Sequence, residues 1–182
     1  AVGVINNLED IAILINISGI DLSGVLLKSL DGPIISNAQT LANIAELGVQ
    51  LNDGIHATVL LSDQLISVGD ALILDSAGVD ISEKGLLANQ STNAVDASRL
   101  LNIEDFQLDG LHIVRSEPLD LIPKAEIFEF NEKGVSFTDI LDGKSNIGVL
   151  EASLDPFEAL SLFDYGMDLS GKTVTSLSLI HI

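Results

Sequence analysis

Three Asp-Gly pairs are the residues of this chain best suited to binding a cation. Asp53, Asp109 and Asp142 each precede a glycine, and such pairs favour tight reversals of the chain. In a tight turn, carboxylate and carbonyl oxygens can converge on a hard cation such as Ca²⁺, although no segment has the spacing of an EF-hand loop. Calcium at these turns is therefore the metal site that the sequence suggests, and it indicates no other cofactor.

The three histidines, His56, His112 and His181, do not have the neighbours that catalysis or metal binding requires. None has a histidine four residues further on, and the chain contains no cysteine. His56 and His112 occupy equivalent repeat positions, which favours a shared structural role. The chain also has no Gly-x-Ser-x-Gly elbow and no glycine-rich phosphate loop. We predict that the protein is not an enzyme.

A column of polar residues forms a candidate binding face. Each member lies between two apolar residues of a short segment, and the members are Asp21, Gln50, Asp80, Gln107, Ser136 and Asp168. Alternation with period two is typical of a half-buried strand. We therefore expect the apolar neighbours to point into the protein and the polar residues to point outward, where they could bind a sugar polymer or a protein surface.

These segments belong to a phrase that recurs about every 29 residues. The six phrases are Gly-Ile-Asp-Leu-Ser from Gly19, Gly-Val-Gln-Leu-Asn from Gly48, Gly-Val-Asp-Ile-Ser from Gly78, Asp-Phe-Gln-Leu-Asp from Asp105, Gly-Val-Ser-Phe-Thr from Gly134 and Gly-Met-Asp-Leu-Ser from Gly166. A period of this size indicates a repeat architecture.

Each repeat is predicted to contain a helix, a strand, a turn and a second strand. The helix begins after a small polar capping residue, namely Asn6 or Asn7, Ser36, Ser62, Ser91, Ser116 and Ser153. It ends where the phrase begins, because a glycine there takes a left-handed conformation, which Asp105 can also adopt. In the last repeat Phe157, Leu160 and Phe163 form one apolar helical face.

The predicted fold is an α/β class, elongated repeat array of about six such units in a single domain spanning residues 1–182. The unit boundaries are about 6–35, 36–61, 62–90, 91–115, 116–152 and 153–182. Two packings fit: a solenoid with equivalent strands stacked in register, or an extended mixed sheet covered by short helices. The chain begins on a strand-like segment without an initiator Met, so we expect a processed form or part of a longer chain or assembly.

Composition excludes several functions. The chain of 182 residues is 47% hydrophobic, and 27 acidic residues against 8 basic ones give a net charge of -19. Such a charge repels phosphate backbones, so we expect no nucleic-acid partner. No apolar run reaches the roughly 18 residues that a membrane span needs.

The cap, short helix, Gly-Val-Asp-Ile-Ser phrase, turn and strand resemble the β/α repeat regions of large secreted or surface proteins of bacteria. Many of those proteins are exported by type I secretion and carry RTX segments. The resemblance implies an extracellular or cell-surface location and a structural, adhesive or matrix role. The calcium-binding nonapeptide of RTX segments is absent, so calcium is not implied by the resemblance.

The predicted function is that of a structural segment of a surface layer, biofilm matrix, adhesin stalk or filament. Val2–Ile5 and Thr173–Ile182 lack the atypical composition of capping repeats, so we expect self-association through these terminal strands. The alternative is a carbohydrate-binding or protein-binding repeat module that uses the polar column to bind a glycan or surface partner.

Overall fold

The protein has mixed α/β architecture. The computed structural model describes residues 3–29, 32–52, 59–114, 121–137 and 147–175. Within these ranges there are six short helices: α1 (Leu8–Leu14), α2 (Ala38–Glu46), α3 (Val68–Ser76), α4 (Ala94–Leu101), α5 (Lys124–Glu132) and α6 (Pro156–Asp164). Helices of two to three turns are marginal alone, so each depends on tertiary packing.

The strands are two or three residues long. Those in the described ranges are β1 (Gly3–Ile5), β2 (Val25–Leu27), β3 (Ile34–Ser36), β4 (Val59–Leu61), β5 (Leu65–Ile66), β6 (Gly85–Leu86), β7 (Ser91–Thr92), β8 (His112–Ile113), β9 (Leu121–Ile122), β10 (Gly148–Val149), β11 (Ser153–Leu154) and β12 (Thr173–Val174). They pair as β1–β2, β3–β4, β5–β6, β7–β8, β9–β10 and β11–β12, and every pair is parallel. Each helix therefore connects two parallel strands.

The observed repeat is strand, helix, phrase and strand, which corrects the predicted order. Apart from the strand-like start of the chain, the strand before each helix was not predicted, and the phrase leads into the second strand by a turn. The turn is closed, for example, by Val25 N–H donating to the Leu22 carbonyl at 3.1 Å. The sequence did not reveal the first strand because it is only two or three residues long and borders the cap directly.

The capping residues also differ from most of those predicted. Ser36, Ser91 and Ser153 lie in strands, and the caps are the Asx residues that follow, Asn37, Asn93 and Asp155. The caps of the first and third helices are Asn7, as predicted, and Ser67 in place of Ser62. Pro123 precedes α5 without a side-chain cap bond, and Ser116 lies outside the described residues. A capping residue has extended backbone and lies immediately before the helix. Because the strand continues past the predicted serine, the helix and its cap begin further along the chain.

The phrase alternates in burial as the sequence predicts. Its apolar residues are buried or half-buried, and they are Ile20, Leu22, Val49, Leu51, Val79, Ile81, Phe106, Leu108, Val135, Phe137, Met167 and Leu169. They pack under the helices, where Ile11, Leu41, Leu74, Leu100, Phe130 and Leu162 are fully buried. The rings of Phe130 and Phe137 meet edge to face at 6.0 Å. The predicted left-handed residues are confirmed, including Asp105 with a φ of 57°.

The chain divides into two compact units. The first consists of Ala1–Leu87 with Ile103–Phe106, and the second of Ala88–Asn102 with Gln107–Ile182. In the first unit α2 packs against α3. Within each unit, a phrase pairs with the strand that follows the preceding phrase. Leu26 of β2 bridges Gln50, His112 of β8 bridges Ser136, and Gly148 of β10 bridges Asp168.

Acidic side chains in the loops between repeats also cap helix N-termini. The Asp63 carboxylate accepts from the Ala38 N–H of α2 at 2.7 Å, and the Glu151 carboxylate accepts from the Lys124 N–H of α5 at 2.8 Å. Both acids lie in the loop that joins the second strand of the same repeat to the first strand of the next. Because the first N–H groups of a helix have no partner within it, this contact satisfies groups that the helix cannot satisfy by itself.

The phrase glycines allow close approach between neighbouring phrases. Gly48 has a φ of 98°, and a Cβ added there would lie 2.9 Å from the Ser23 backbone. At Gly78, with a φ of 81°, the same added atom would meet none of the described residues within 4 Å. Of these two positions, only position 48 requires glycine both because φ is positive and because a Cβ has no space.

We expect Gly48→Ala to destabilise the fold more than Gly78→Ala. Positive φ alone costs an alanine about 1–2 kcal/mol, and the overlap with Ser23 adds about 1–3 kcal/mol at position 48. Chemical denaturation of both variants measures the difference in the free energy of unfolding. If both variants lost the same free energy of unfolding, packing against Ser23 would not constrain position 48.

Candidate functional site

The structure places the predicted polar column outward. Asp21, Gln50, Asp80, Gln107 and Asp168 are exposed, and Ser136 is half-buried. In the first unit the Gln50 N–H donates to the Val25 carbonyl at 2.7 Å, and the Leu27 N–H donates to the Gln50 carbonyl at 2.8 Å. The backbone of a column residue thus joins neighbouring repeats, while its side chain faces solvent.

Three carboxylates of the column form turns with the serine two residues further on. The Ser23 N–H donates to Asp21 Oδ1 at 2.9 Å. In the other two, both the backbone N–H and the hydroxyl of serine donate to one oxygen: Ser82 to Asp80 at 2.9 and 2.7 Å, and Ser170 to Asp168 at 3.0 and 2.7 Å. Such Asx turns fix the backbone of the phrase. They give these aspartates a structural role, and the binding role of the column stays a prediction.

These hydrogen bonds favour the ionised aspartates. The Ser82 hydroxyl, followed by its N–H, lowers the pKa of Asp80, and Lys84 acts in the same direction. The Ser170 N–H and hydroxyl lower the pKa of Asp168, where Lys172 adds its charge, and the Ser23 hydroxyl and N–H lower the pKa of Asp21. Hydrogen bonds to a carboxylate stabilise its charged form.

Acidic side chains surround one cleft of the first unit. It has a volume of about 330 Å³ and is lined by Asp75, Asp80, Ser82, Glu104 and Asp105, among others. Nevertheless, no three histidine, cysteine or acidic side chains within the described ranges are arranged to hold a metal ion. This cleft therefore supplies negative charge but no coordination geometry.

Of the three predicted calcium turns, the structure describes that of Asp109. Asp53 and Asp142 lie outside the described residues. The Asp109 side chain is exposed, and its Oδ1 would lie 2.6 Å from a Cβ added at Gly134. Asp109 thus packs against the next phrase, as Ser23 does against Gly48.

His112 lies on β8 and pairs through its backbone with Ser136. Its Nδ1 is buried and has no hydrogen-bond partner in the structure, as far as the described residues show. His56 and His181 lie outside the described residues. A structural role for His112 agrees with its place in the strand.

A second cleft in the first unit is lined by amides and carboxylates. Its volume is about 480 Å³, and its lining includes Asn37, Gln39, Asn43, Asp63 and Asp70 beside the apolar Leu65. The sequence did not indicate this cleft, because its residues come from two helix N-termini and a loop of successive repeats. Some of its polar groups already cap helices, as Asn37 and Asp63 do.

Sequence reasoning also missed a set of exposed apolar side chains. On α6 the apolar face predicted from spacing is exposed: Phe157, Leu160 and Phe163 are 68%, 68% and 73% accessible, while Leu162 is buried. These three residues are called the α6 face below. The sequence of α6 contained a sign of this exposure, because apolar residues lie on more than one side of the helix. The core can cover only one of those sides.

A second exposed apolar surface lies on the strand pairs. Ile35 of β3 and Leu60 of β4 are register partners, 64% and 39% accessible, whereas Val59 and Leu61 on the opposite face are buried. Ile35 and Leu60 are called the outer strand face below. Val4, Leu65 and Leu121 are also exposed, each on a different strand pair. Apolar residues occupy both alternating positions of Val59–Leu61 in the sequence, which indicates burial of both strand faces, either within the fold or against another chain.

Comparison of the chain with protein-family models, curated proteins and solved structures finds no match. The longest helices in the described ranges have 9 residues, and none has the length and apolar character to cross a membrane. Inference about function therefore rests on the geometry of the chain itself.

We expect Asp80→Asn to change stability in a pH-dependent manner. The folded-state pKa of Asp80 is lowered, so the ionised group stabilises the fold above its unfolded pKa of about 3.9, and this contribution is lost as pH falls through the folded pKa. Asparagine keeps the acceptor but not the charge. Its melting temperature should lie up to about 2 °C below that of the wild type at pH 7 and approach it as the pH falls through the folded-state pKa of Asp80.

Asp80→Ala provides the control. It removes the acceptor, so it should lower the melting temperature both at pH 7 and at acidic pH. Thermal melting followed by circular dichroism measures all three proteins. A constant offset between Asp80→Asn and the wild type across this pH range would contradict a stabilising charge at Asp80.

Proposed function

We propose that this chain is a structural segment of an extracellular bacterial protein, such as a surface layer, biofilm matrix, adhesin stalk or filament. It acts by stacking of its repeats as an array and by self-association. The exposed apolar surface described above carries the proposal, because soluble monomers rarely leave contiguous large apolar side chains in water.

The α6 face supports a protein contact. Two phenylalanines and a leucine at successive spacings of three residues present a continuous ridge on a helix. Aromatic side chains are enriched in protein interfaces, where burial of their large area contributes most of the binding free energy. The ridge is large enough to anchor a second protein surface.

The outer strand face supports the same conclusion. Parallel sheets are normally covered on both faces, yet Ile35 and Leu60 remain accessible on the side away from the helices. A second copy of the chain would cover such a surface with side chains of the same kind.

The charge balance fits an assembly that is controlled by ionic conditions. A net charge of -19 on each copy opposes close approach, and salt screens that repulsion. We propose no catalytic centre, since the described aspartates of the phrases hold turns and the Asn, Ser and Asp residues before the helices hold caps.

The amide-lined cleft of the first unit favours a second candidate, a glycan-binding module. Asn43 and Gln39 offer both donors and acceptors beside Leu65, as recognition of a sugar requires. Binding to a glycan array that is lost in Asn43→Ala would support this function over assembly alone.

We expect Phe157→Gln/Phe163→Gln to weaken self-association of the chain by at least about tenfold. The two rings are exposed, so their replacement should leave the melting temperature unchanged while it removes apolar area from the contact. Sedimentation velocity over a concentration series in about 1 M NaCl, where the Debye length is about 3 Å, measures the effect.

Asp164→Asn is the matched control, because it alters an exposed residue next to the ridge without removing apolar area. It should associate as the wild type does. A wild-type chain that remains monomeric at all concentrations would contradict the proposed function.

A further inference from the structure

The junction between consecutive repeats is a defined backbone interface. At β2 the Val25 carbonyl accepts from Gln50 N–H and the Leu27 N–H donates to the Gln50 carbonyl. At β8 the Leu111 carbonyl accepts from Ser136 N–H at 2.8 Å, and the Ile113 N–H donates to the Ser136 carbonyl at 2.9 Å. The same two bonds thus join a strand to the middle residue of the next phrase in both units.

Further contacts complete this junction. The Leu22 N–H donates to the Leu47 carbonyl at 3.3 Å, and the Gly110 N–H donates to the Gly134 carbonyl at 3.2 Å. The glycine of the incoming phrase packs against the turn of the phrase before it, as seen for Gly48 on Ser23 and Gly134 on Asp109.

The last described strand has the same local structure on the side of the preceding repeat. The turn bond from Lys172 N–H to the Leu169 carbonyl is 3.1 Å, equal to its counterparts before β2 and β8. Thr173 and Thr175 donate to the Ala152 and Leu154 carbonyls of the β11 segment at 2.9 and 2.8 Å. Position by position, Lys172 and Val174 therefore correspond to Val25 and Leu27.

On its other side this strand has no partner among the described residues. Among the described residues, none bonds to the Lys172 carbonyl or to the N–H groups of Leu169, Gly171 and Val174, and the Val174 residue is 54% accessible. We call Leu169–Val174 the tail edge. It presents the donors and the acceptor that β2 and β8 use to hold the following phrase.

The first phrase is the complementary element. The segment Ser18–Leu22, called the head segment here, has the position of Leu47–Leu51 in its own repeat. The Asp21 N–H and carbonyl, which correspond to those of Gln50, have no hydrogen-bond partner among the described residues, and Asp21 is exposed. A Cβ added at Gly19 would meet nothing within 4 Å.

We propose that the head segment of a second copy of this chain adds to the tail edge as a parallel strand, so that copies join head to tail. Asp21 N–H of the second copy donates to the Lys172 carbonyl, and the Asp21 carbonyl accepts from Val174 N–H. Gly19 of the second copy packs on the turn at Ser170, as Gly48 packs on Ser23. The occupant is a copy of this chain because the junction already recurs within it, and strand addition to an open edge is a general mode of protein recognition.

Two features fit this junction. Lys172 places one of the few cations of the chain at the tail edge, where its Nζ donates to the Val149 carbonyl at 2.6 Å, and Asp21 brings an ionised carboxylate. A head-to-tail contact is heterologous, so it generates open filaments unless its rotation closes a ring. The inference rests on the proposed function, to which it adds the residues and the direction of assembly.

Two substitutions test opposite sides of the junction. Val174→Pro removes the donor of the tail edge and keeps the bonds of Thr173 and Thr175 to the β11 segment. Proline is tolerated on an edge strand whose N–H faces outward. Gly19→Ala adds a Cβ that has space in a single copy but would collide with the turn at Ser170 in the junction. Val174→Thr and Gly78→Ala are the matched controls for side-chain loss and for positive φ.

The variants are made in the Phe157→Gln/Phe163→Gln chain, so that contacts through the α6 face are removed, and are followed by sedimentation velocity in about 1 M NaCl. The parent chain should form an open-ended series of oligomers as its concentration rises. Each added substitution should weaken this association about tenfold or more, whereas the two controls should not. Circular dichroism and melting curves confirm that each variant is folded.

Mixing gives the decisive result. The Val174→Pro chain retains its head segment and the Gly19→Ala chain retains its tail edge, so an equimolar mixture should form dimers and stop there. A mixture that stays monomeric, or variants that associate as the parent does, would overturn the junction. If the wild type associates but the parent chain does not, the head-to-tail inference fails and self-association stands. A monomeric wild type would overturn both.

Discussion

Backbone pairing between consecutive repeats is the constraint on which this structure depends. Strands of two or three residues cannot form a stable sheet on their own, and the pairs β1–β2, β7–β8 and β9–β10 each gain a further partner where the next phrase reaches them. Gln50 and Ser136 make this contact with paired N–H and carbonyl bonds to the strand before them. The glycine at the start of the phrase, the turn after it and the alternation within it all serve to bring this residue into register.

The same dependence on a neighbour appears at the helix N-termini. Asp63 and Glu151 lie in the loops that lead to the following repeats, and they accept from the first N–H groups of α2 and α5. Lys124 is held in turn by Glu158 of the next repeat, whose hydrogen bond raises the pKa of the lysine. A repeat removed from this setting would leave its strand edge without a partner. Such mutual completion is typical of repeat proteins, in which each unit contacts its neighbours.

This architecture favours surfaces over pockets. Asp21, Asp80 and Asp168 of the phrases hold turns, and the polar residues before most of the helices hold caps. Apolar side chains remain exposed on α6 and on the strands. Among the described residues, equivalent backbone groups also lack partners at the first and last phrases. The properties of the junction and of the exposed faces therefore agree with assembly as the role of the chain.

The sequence by itself determined which residues are buried within each phrase and where the backbone becomes left-handed, including Asp105. Both are local properties, because period-two burial and positive φ depend on the type of each residue. Only the tertiary structure decided that strands on either side of a helix pair in parallel, that Asn37 rather than Ser36 caps α2, and that Phe157, Leu160 and Phe163 face water. Any N–H can pair with any carbonyl, and an apolar side chain does not specify its cover, so these outcomes follow from which segments the folded chain brings together.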